Sequence, residues 1–418
     1  MSMADNLRID PIRLWDSHME MAKIGPGVAG GNNRQTLTDE DRQGRDLFRQ
    51  WCEAAGMTVT VDKIGGNMFA RRAGKNNDLP PILMGSHLDT QPTGGRFDGV
   101  FGVMAGLEVI RTLNDLGIET EAPLEVVNWT NEEGGRFPPP MVGSAVFAGL
   151  TSLEDAYDLR DLDGARFGDE LENIGYRGDT DIGNRPIGGY FECHIEQGPI
   201  LESESLPVGV VSGVQAMRWY EVRAVGRESH AGTTPPANRR DALTTAAEIA
   251  LALDGIMAAR GQDGRCTIGV LNASPGSPNV IPGEVFFTVD MRNPTTAELN
   301  QMDTEFRERA TAIAARRQVE VEIKENWFSP PVEFDPGCVQ AVRHGAQASG
   351  HGFREIMSGA GHDAVCISKI APAAMIFVPC KDGISHNEAE YASMEDLAAG
   401  CDVLLRAVLE YANRESTE

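Results

Sequence analysis

Positive charge is scarce in this 418-residue chain: 37 lysines and arginines stand against 62 aspartates and glutamates, a formal net charge of −25. That balance argues against a nucleic-acid or anionic-membrane partner, since both recruit basic surfaces. It says little about a substrate, because bound metals and local arginines set the field inside a site. Long apolar runs are missing too, and none approaches the ~18 residues of a membrane span. The N-terminal MSMADNLRIDPIRLW lacks the apolar stretch of a signal peptide, so the expected compartment is the cytoplasm. The seven cysteines (52, 193, 266, 338, 366, 380 and 401) show no CxxC spacing. They read as reduced, mostly buried thiols rather than a disulfide frame. HExxH is absent, which excludes a zincin, and so is the GxSxG elbow. Ser229-His230 has no identifiable third partner for a serine nucleophile.

What is present is ordinary in bulk, with 41% apolar and 24% charged residues. The length exceeds one hydrophobic core and predicts two domains. Pro11 to about Ile24 and Thr38 to Ala55 read as helices, the second opened by an acidic first turn. Met57 to Asp62 and Met68 to Arg72 read as a strand pair joined through Gly65-Gly66-Asn67. Pro81 to Ser86 and Leu124 to Thr130 are short apolar runs that read as buried strands, with a helical pattern from Val100 to Leu116 between them. This order predicts an α/β domain with a largely parallel sheet, whose chemistry gathers outside the carboxyl ends of its strands.

From about Val214 the texture changes. Arg218 to Val225 alternates like a half-exposed strand, and Asp241 to Arg260 and Ala297 to Arg317 read as helices. Cys266 to Leu271, Glu284 to Arg292 and Val319 to Lys324 read as further strands, so residues 214–329 suit a compact α+β insert. Asp335 to Gly350 and Met394 to Arg414 are helical patterns with a strand, Ala374 to Pro379, between them. Residues 1–213 and 330–418 are therefore expected to form one discontinuous domain around the insert.

Five potential metal ligands sit where strands end: His87, Asp98, Glu133, His194 and His386. Three imidazoles and two carboxylates suit a pair of borderline divalent ions, zinc first and manganese, cobalt or nickel as alternatives. Taken alone, His87 reads as a buried histidine, Asp98 as the cap of the helix that follows, and Glu132-Glu133 as a solvated pair. Within the constellation the readings of His87 and Asp98 reverse towards a metal site, and Glu132-Glu133, placed after a buried strand and followed by Gly134-Gly135, is unlike a solvated helix. Neighbouring glutamates cannot easily share one role, so Glu133 can bind metal while Glu132 activates water. Asp89, two residues after His87, can hold the other nitrogen of a liganding imidazole. Strand alternation puts Cys193 on the face opposite His194. Arg292 ends a strand of the insert and offers bidentate recognition of a carboxylate.

The phrases GSHLDTQPTGGRFDG, NEEGGRFPP, HIEQGP, ESHAGTTP, SPNVIPGEV, SGAGHDA and ISHNEAE, in order from about residue 30 to 400, carry a resemblance. Together they resemble the hydantoinase/carbamoylase branch of the dinuclear M20-like metallopeptidase superfamily, and within it N-carbamoyl-L-amino-acid hydrolases and β-ureidopropionases. The resemblance implies a catalytic domain with an inserted lid and dimerisation domain, and two divalent ions per subunit. His87 and His194 would hold one ion, Glu133 and His386 the other, with Asp98 bridging. Glu132 would be the general base and Asp89 would orient His87. Gln197, His230, Asn279, Arg292 and Gly361 match the family's substrate-binding positions, Arg292 at the carboxylate and His230, Asn279 and Gln197 nearer the carbamoyl end. His230 would also stabilise the developing oxyanion. The implied reaction is hydrolysis of a ureido C–N bond in a small-molecule substrate by a homodimer. Allantoate hydrolysis, or peptidase or deacylase activity on the same site, is the alternative.

Overall fold

Residues 7–414, except 64, 182 and 184, are described by the computed structural model of the chain. In chain order the first part gives α1 (Pro11–Met21), α2 (Asp39–Ala54), β1 (Thr58–Val61), β2 (Met68–Arg72), β3 (Ile82–His87), α3 (Val100–Asp115) and β4 (Leu124–Trp129). Short helices α4 (Val142–Phe147), α5 (Leu153–Asp158) and α6 (Phe167–Asn173) lead to β5 (Gly189–Ile195), α7 (Ile200–Glu204) and β6 (Val208–Val214). Then come β7 (Ala216–Val225), β8 (Ser229–His230), α8 (Ala242–Ala258), β9 (Arg265–Thr267), β10 (Leu271–Ser274), β11 (Val280–Ile281), β12 (Glu284–Asn293), α9 (Thr296–Arg317) and β13 (Glu320–Ser329). The last elements are β14 (Val332–Glu333), α10 (Pro336–Ser349), β15 (Phe353–Ser358), α11 (Asp363–Ile367), β16 (Ala373–Val378) and α12 (Met394–Ala412). These elements fall into two compact units, Met1–Gly213 with Glu333–Glu418, and Val214–Val332.

The sheet of the first unit runs β1-β2-β4-β3-β5-β16-β6, with β15 also on β6. Its centre, β4-β3-β5-β16, is parallel, while the pairings of β1 with β2, β2 with β4 and β16 with β6 are antiparallel. The sheet is thus mixed, with parallel pairing among the central strands β4, β3, β5 and β16. β3, β4, β5 and β16 are buried along their whole length. Burial on both faces is why they read as unbroken apolar runs rather than alternating ones. α3 packs on β3 and β5, and α12 packs on α3 and α10.

The first helix stops at Met21 rather than near Ile24. Buried Arg34 explains the end, because its Nη1 donates to the carbonyls of Met21 and Ile24 at 3.1 and 2.9 Å. The same guanidinium donates through Nε to the carbonyl of Leu88 at 2.8 Å, bracing the chain just past β3. α2 opens as its acidic first turn predicts, with Thr38 capping Asp41 N.

The second unit has a sheet ordered β10-β12-β7-β13, with β9 also on β12. α8 and α9 bury their apolar faces against it through Ile249, Leu253, Met302 and Phe306. Asp241 and Thr295 cap these two helices. The strand expected over Cys266–Leu271 is broken. Arg265–Thr267 pairs with Asp290–Arg292 and Leu271–Ser274 with Glu284–Phe287, so residues 268–270 face only 288 and 289. That extra residue is a β-bulge at Gly269, a break that alternation alone does not reveal. A separate ribbon pairs β8 with β11, setting His230 opposite Val280.

Candidate dinuclear metal centre

Parallel pairing delivers the site to one edge of the first unit's sheet. β3 ends on His87, in register with Trp129 at the end of β4, three residues before Glu132. In the neighbouring pair, His194 of β5 is in register with Phe377 of β16. The carboxyl ends of adjacent parallel strands therefore present His87, Glu132, Glu133 and His194 together, where α/β sheets place their ligands.

Two triads result, His87–Asp98–His194 and Asp98–Glu133–His386, each with donor atoms all within 4.8 Å of one another. Asp98 belongs to both. Its Oδ1 lies 3.0 Å from His194 Nε2 and 3.8 Å from His87 Nε2, and its Oδ2 lies 3.5 Å from His386 Nε2. Glu133 Oε2 is 3.3 Å from His386 Nε2. Asp98 makes no side-chain cap to α3, whose N-cap position is Gly99. Gly99 has φ +66°, and a Cβ there would stand 2.2 Å from the His87 ring, so only glycine fits between bridging aspartate and imidazole.

The remaining atoms of the ligands are held by backbone. His87 Nδ1 is 2.9 Å from the Asp89 carbonyl and His194 Nδ1 2.8 Å from the Ile195 carbonyl, which leaves Nε2 of each ring toward the triad. The carboxylate of Asp89, expected to hold His87, is 3.9 Å from Nδ1. It instead accepts the amides of Glu132 and Glu133 at 3.3 Å each, so Asp89 meets the imidazole through its carbonyl and the glutamate pair through its side chain. Glu132 Oε2 sits 3.3 Å from His87 Nε2. Three non-glycine residues around these ligands, Asn131, Gln197 and His386, hold φ between +54° and +59°. Such backbone costs about 1–3 kcal/mol per residue and gathers where side chains must be aimed.

The charges fit a pair of cations. Among the described residues, the recorded ion-pair partners of Asp98, Glu132 and Glu133 are imidazoles alone. Burial pushes the Glu132 carboxyl well above its usual range, with Asp363 and Glu133 adding, and does the same to Glu133, with Asp98 adding. Asp89 is pushed up to about 7 by burial. Burial drives His87 down to about 4, and its Nε2 is enclosed without a hydrogen bond. Burial also opposes charge on His194, but Asp98 outweighs it and raises that ring to about 9. Although burial works against it, Asp98 stays well below the usual carboxylate range because His194, His386 and His87 surround it. Buried carboxylates clustered with imidazole nitrogens, once they give up their protons, are a donor set for divalent ions of the zinc and manganese kind.

The other sequence candidates divide between the units. Gln197 joins the centre: its Nε2 donates to Asp98 Oδ2 at 2.8 Å, and its Oε1 is buried without a partner. Gly361 lies half-buried before α11, next to His362, whose ring packs 4.4 Å from that of His194. His230, Asn279 and Arg292 belong to the second unit. Ala231 N donates to the Asn279 carbonyl, which holds the His230 and Asn279 segments side by side. His230 Nδ1 accepts the amides of Gly232 and Thr233 at 3.0 and 3.3 Å, which directs Nε2 outward as the donor. Arg292 forks onto Asp290 through Nε and Nη2, at 3.0 and 2.7 Å. Cys193 points away, its Sγ 3.7 Å from the Gly400 carbonyl.

Two residues not singled out from sequence also reach the ligands. Gln91 Nε2 donates to Glu133 Oε2 at 2.8 Å, and Ser385 Oγ lies 2.7 Å from Asp98 Oδ2. Both stand inside the phrases that carry His87 and His386, and that proximity was the available signal.

Residues 83–410 match the model of peptidase family M20/M25/M40. The chain is 52% identical over 409 residues to the N-carbamoyl-L-amino-acid amidohydrolase of Rhizobium meliloti, covering 98% of each. It is 33% identical to the ureidoglycolate hydrolase of Arabidopsis thaliana, covering 96% of this chain and 87% of that one. The crystal structure of a hydantoinase/carbamoylase family amidase from Burkholderia multivorans superposes with a TM-score of 0.91 at 52% identity, covering 98% of this chain and 99% of that one. With a shared aspartate between two histidine-rich triads and likeness along its whole length, the chain belongs to peptidase family M20/M25/M40 and, within it, to the hydantoinase/carbamoylase amidases.

Proposed function

We propose that the chain hydrolyses the ureido C–N bond of N-carbamoyl amino acids, releasing free amino acid, ammonia and carbon dioxide. The observation that carries this reading is the pair of triads sharing Asp98 with Glu132 against them, in a chain 52% identical to an N-carbamoyl-L-amino-acid amidohydrolase. His87, Asp98 and His194 would hold one divalent ion and Asp98, Glu133 and His386 the other, with zinc the first expectation. When bound, such ions polarise a carbonyl and acidify water towards a pKa of ~7.

The chain's own groups do the rest. Glu132, buried 3.3 Å from His87 Nε2, serves as general base to the attacking water and returns the proton it takes to the leaving nitrogen. Water adds to the ureido carbon, the bond to the amino-acid nitrogen breaks, and the carbamate released decays to ammonia and carbon dioxide. His230 Nε2–H stabilises the developing oxyanion. Arg292 receives the substrate carboxylate, Gln197 and Asn279 lie nearer its carbamoyl end, and Gly361 is a further substrate-binding position.

The inserted unit would act as lid and dimer contact. Leu243 and Leu251 on α8, Val270 just before β10 and Leu271 at its start are exposed. Among the described residues β10 pairs only with β12, leaving an edge that a second copy can cover. No helix among the described residues is long and apolar enough to cross a membrane. All seven cysteines are free, which supports a reducing compartment such as the cytoplasm. The net charge of −25 supports neither nucleic acid nor membrane as a partner.

A second reading, another ureido acid as substrate, draws on the 33% identity to ureidoglycolate hydrolase. Product analysis on N-carbamoyl-L-methionine, N-carbamoyl-β-alanine, allantoate, ureidoglycolate and an N-acetyl amino acid tests both. Preference for a carbamoyl amino acid upholds the first reading. Preference for allantoate or ureidoglycolate moves the substrate and keeps the site, and turnover of the acetyl compound alone would reject ureido hydrolysis.

A further inference from the structure

One buried carboxylate ties the loop that carries His386 to the segment that carries Asp98. Glu390, 4% exposed, accepts through Oε1 the amides of Phe97 and Asp98, both at 3.0 Å. Its Oε2 lies 3.0 Å from Ser385 Oγ, which in turn lies 2.7 Å from Asp98 Oδ2. Gln197 Nε2 completes the cluster, 2.8 Å from Asp98 Oδ2 and 3.2 Å from Ser385 Oγ. The carboxylate is fitted closely against the neighbouring turn, since a Cβ on Gly95 would stand 2.0 Å from Glu390 Oε1.

We infer that Glu390 is a positioning residue for the bridging aspartate, fixing both its backbone and, through Ser385, its carboxylate. Its own helix holds Asp98 through a backbone bond, Val100 N to the Asp98 carbonyl at 2.7 Å, and leaves the aspartate's amide and carboxylate to other partners, since the Gly99 cap makes no side-chain bond. Buried amides need acceptors, and a carboxylate accepting two of them is a stronger restraint than a neutral carbonyl. The inference rests on the two-cation reading and adds an asymmetry to it. The first triad takes His87 and His194 from the ends of β3 and β5, which the sheet holds without Glu390. The second triad takes Asp98 from one segment bound to Glu390 and His386 from the loop four residues before it. Loss of Glu390 therefore falls mainly on the second cation.

The test titrates cation-stripped full-length protein with Zn2+ by calorimetry and counts bound metal after gel filtration, for wild type, Glu390→Ala, Glu390→Gln and Ser385→Ala. Wild type should bind two cations. Glu390→Ala should keep the first and bind the second about 10–100-fold more weakly, the range typical of lost outer contacts to ligands. Glu390→Gln, whose carboxamide oxygen can still accept both amides as a weaker neutral acceptor, should bind the second cation more tightly than Glu390→Ala and more weakly than wild type. With excess Zn2+, Glu390→Ala should lower kcat more than it raises KM. Folded Glu390→Ala with two wild-type affinities would overturn the inference, and so would equal weakening of both cations. Should Glu390→Ala not fold, Ser385→Ala carries the test: selective weakening of the second cation supports the inference and unchanged affinities overturn it. Fewer than two cations on the wild type would instead reject the two-cation reading itself.

Discussion

Glu132 Oε2 lies 3.3 Å from His87 Nε2, with the carboxyl buried and neither atom committed elsewhere by a closer ion pair. The contact places a proton acceptor against the first triad without making it one of the ligands that define the second. Glu132→Gln preserves shape and removes the base. It should still bind two cations and lose about 10²–10⁴-fold in kcat. Metal counting and steady-state kinetics on one preparation check this, and near-normal turnover would remove Glu132 from that role.

Gly99→Ala should damage the centre without touching a ligand. The added methyl meets the His87 ring, and φ +66° disfavours any side chain. The expected cost is about 1–3 kcal/mol of stability together with weaker binding of the first cation. Urea denaturation and a zinc titration measure the two effects separately, and normal values in both would show that the imidazole has room to move.

Arg292→Lys should raise KM for ureido acids by about tenfold, because an ammonium cannot reproduce the fork that Asp290 orients. The change in kcat should be smaller. For the wild-type protein, a decarboxylated ureido analogue should show a similarly raised KM; an unchanged value there would sink the carboxylate role.

Stability should depend on pH through a residue outside the site. His18 of α1 is buried against Phe97 and Phe101, and burial pushes its imidazole down to about 3. The unfolded chain, with a value near 6.5, then takes up the proton first as pH falls. The contribution of neutral His18 is whole above about pH 6.5 and is lost as pH falls from there toward 3, about 1.4 kcal/mol per unit. His18→Leu should therefore lose about 1.4 kcal/mol less than wild type between about pH 7.5 and 5.5, as read by urea denaturation. Equal losses would mean that His18 finds a partner on protonation.

Much of this was legible in the sequence, for physical reasons that can be named. His87, Glu132, Glu133 and His194 lie at or just beyond the ends of short buried runs, and parallel strands bring such ends to one edge. Asp98 was ambiguous, because an aspartate before a helix is also a cap; Gly99 takes the cap position and leaves its carboxylate to the histidines. What stayed hidden depends on register and on contacts between distant segments. The Glu390 amide bonds cross almost three hundred positions, and Arg34 reaches the Leu88 carbonyl from a loop with no periodicity. The choice between carbonyl and carboxylate at Asp89, and the bulge at Gly269, turn on single backbone groups that residue types do not encode.

On the reading proposed above, two cations drive hydrolysis of a ureido substrate. The most direct measurement follows release of methionine from N-carbamoyl-L-methionine by cation-stripped protein as Zn2+ is added in fractional equivalents. Negligible activity is expected in the stripped protein, with a rise that levels at two equivalents per chain. Full activity without added or residual metal, or no methionine released with two equivalents bound, would contradict that reading.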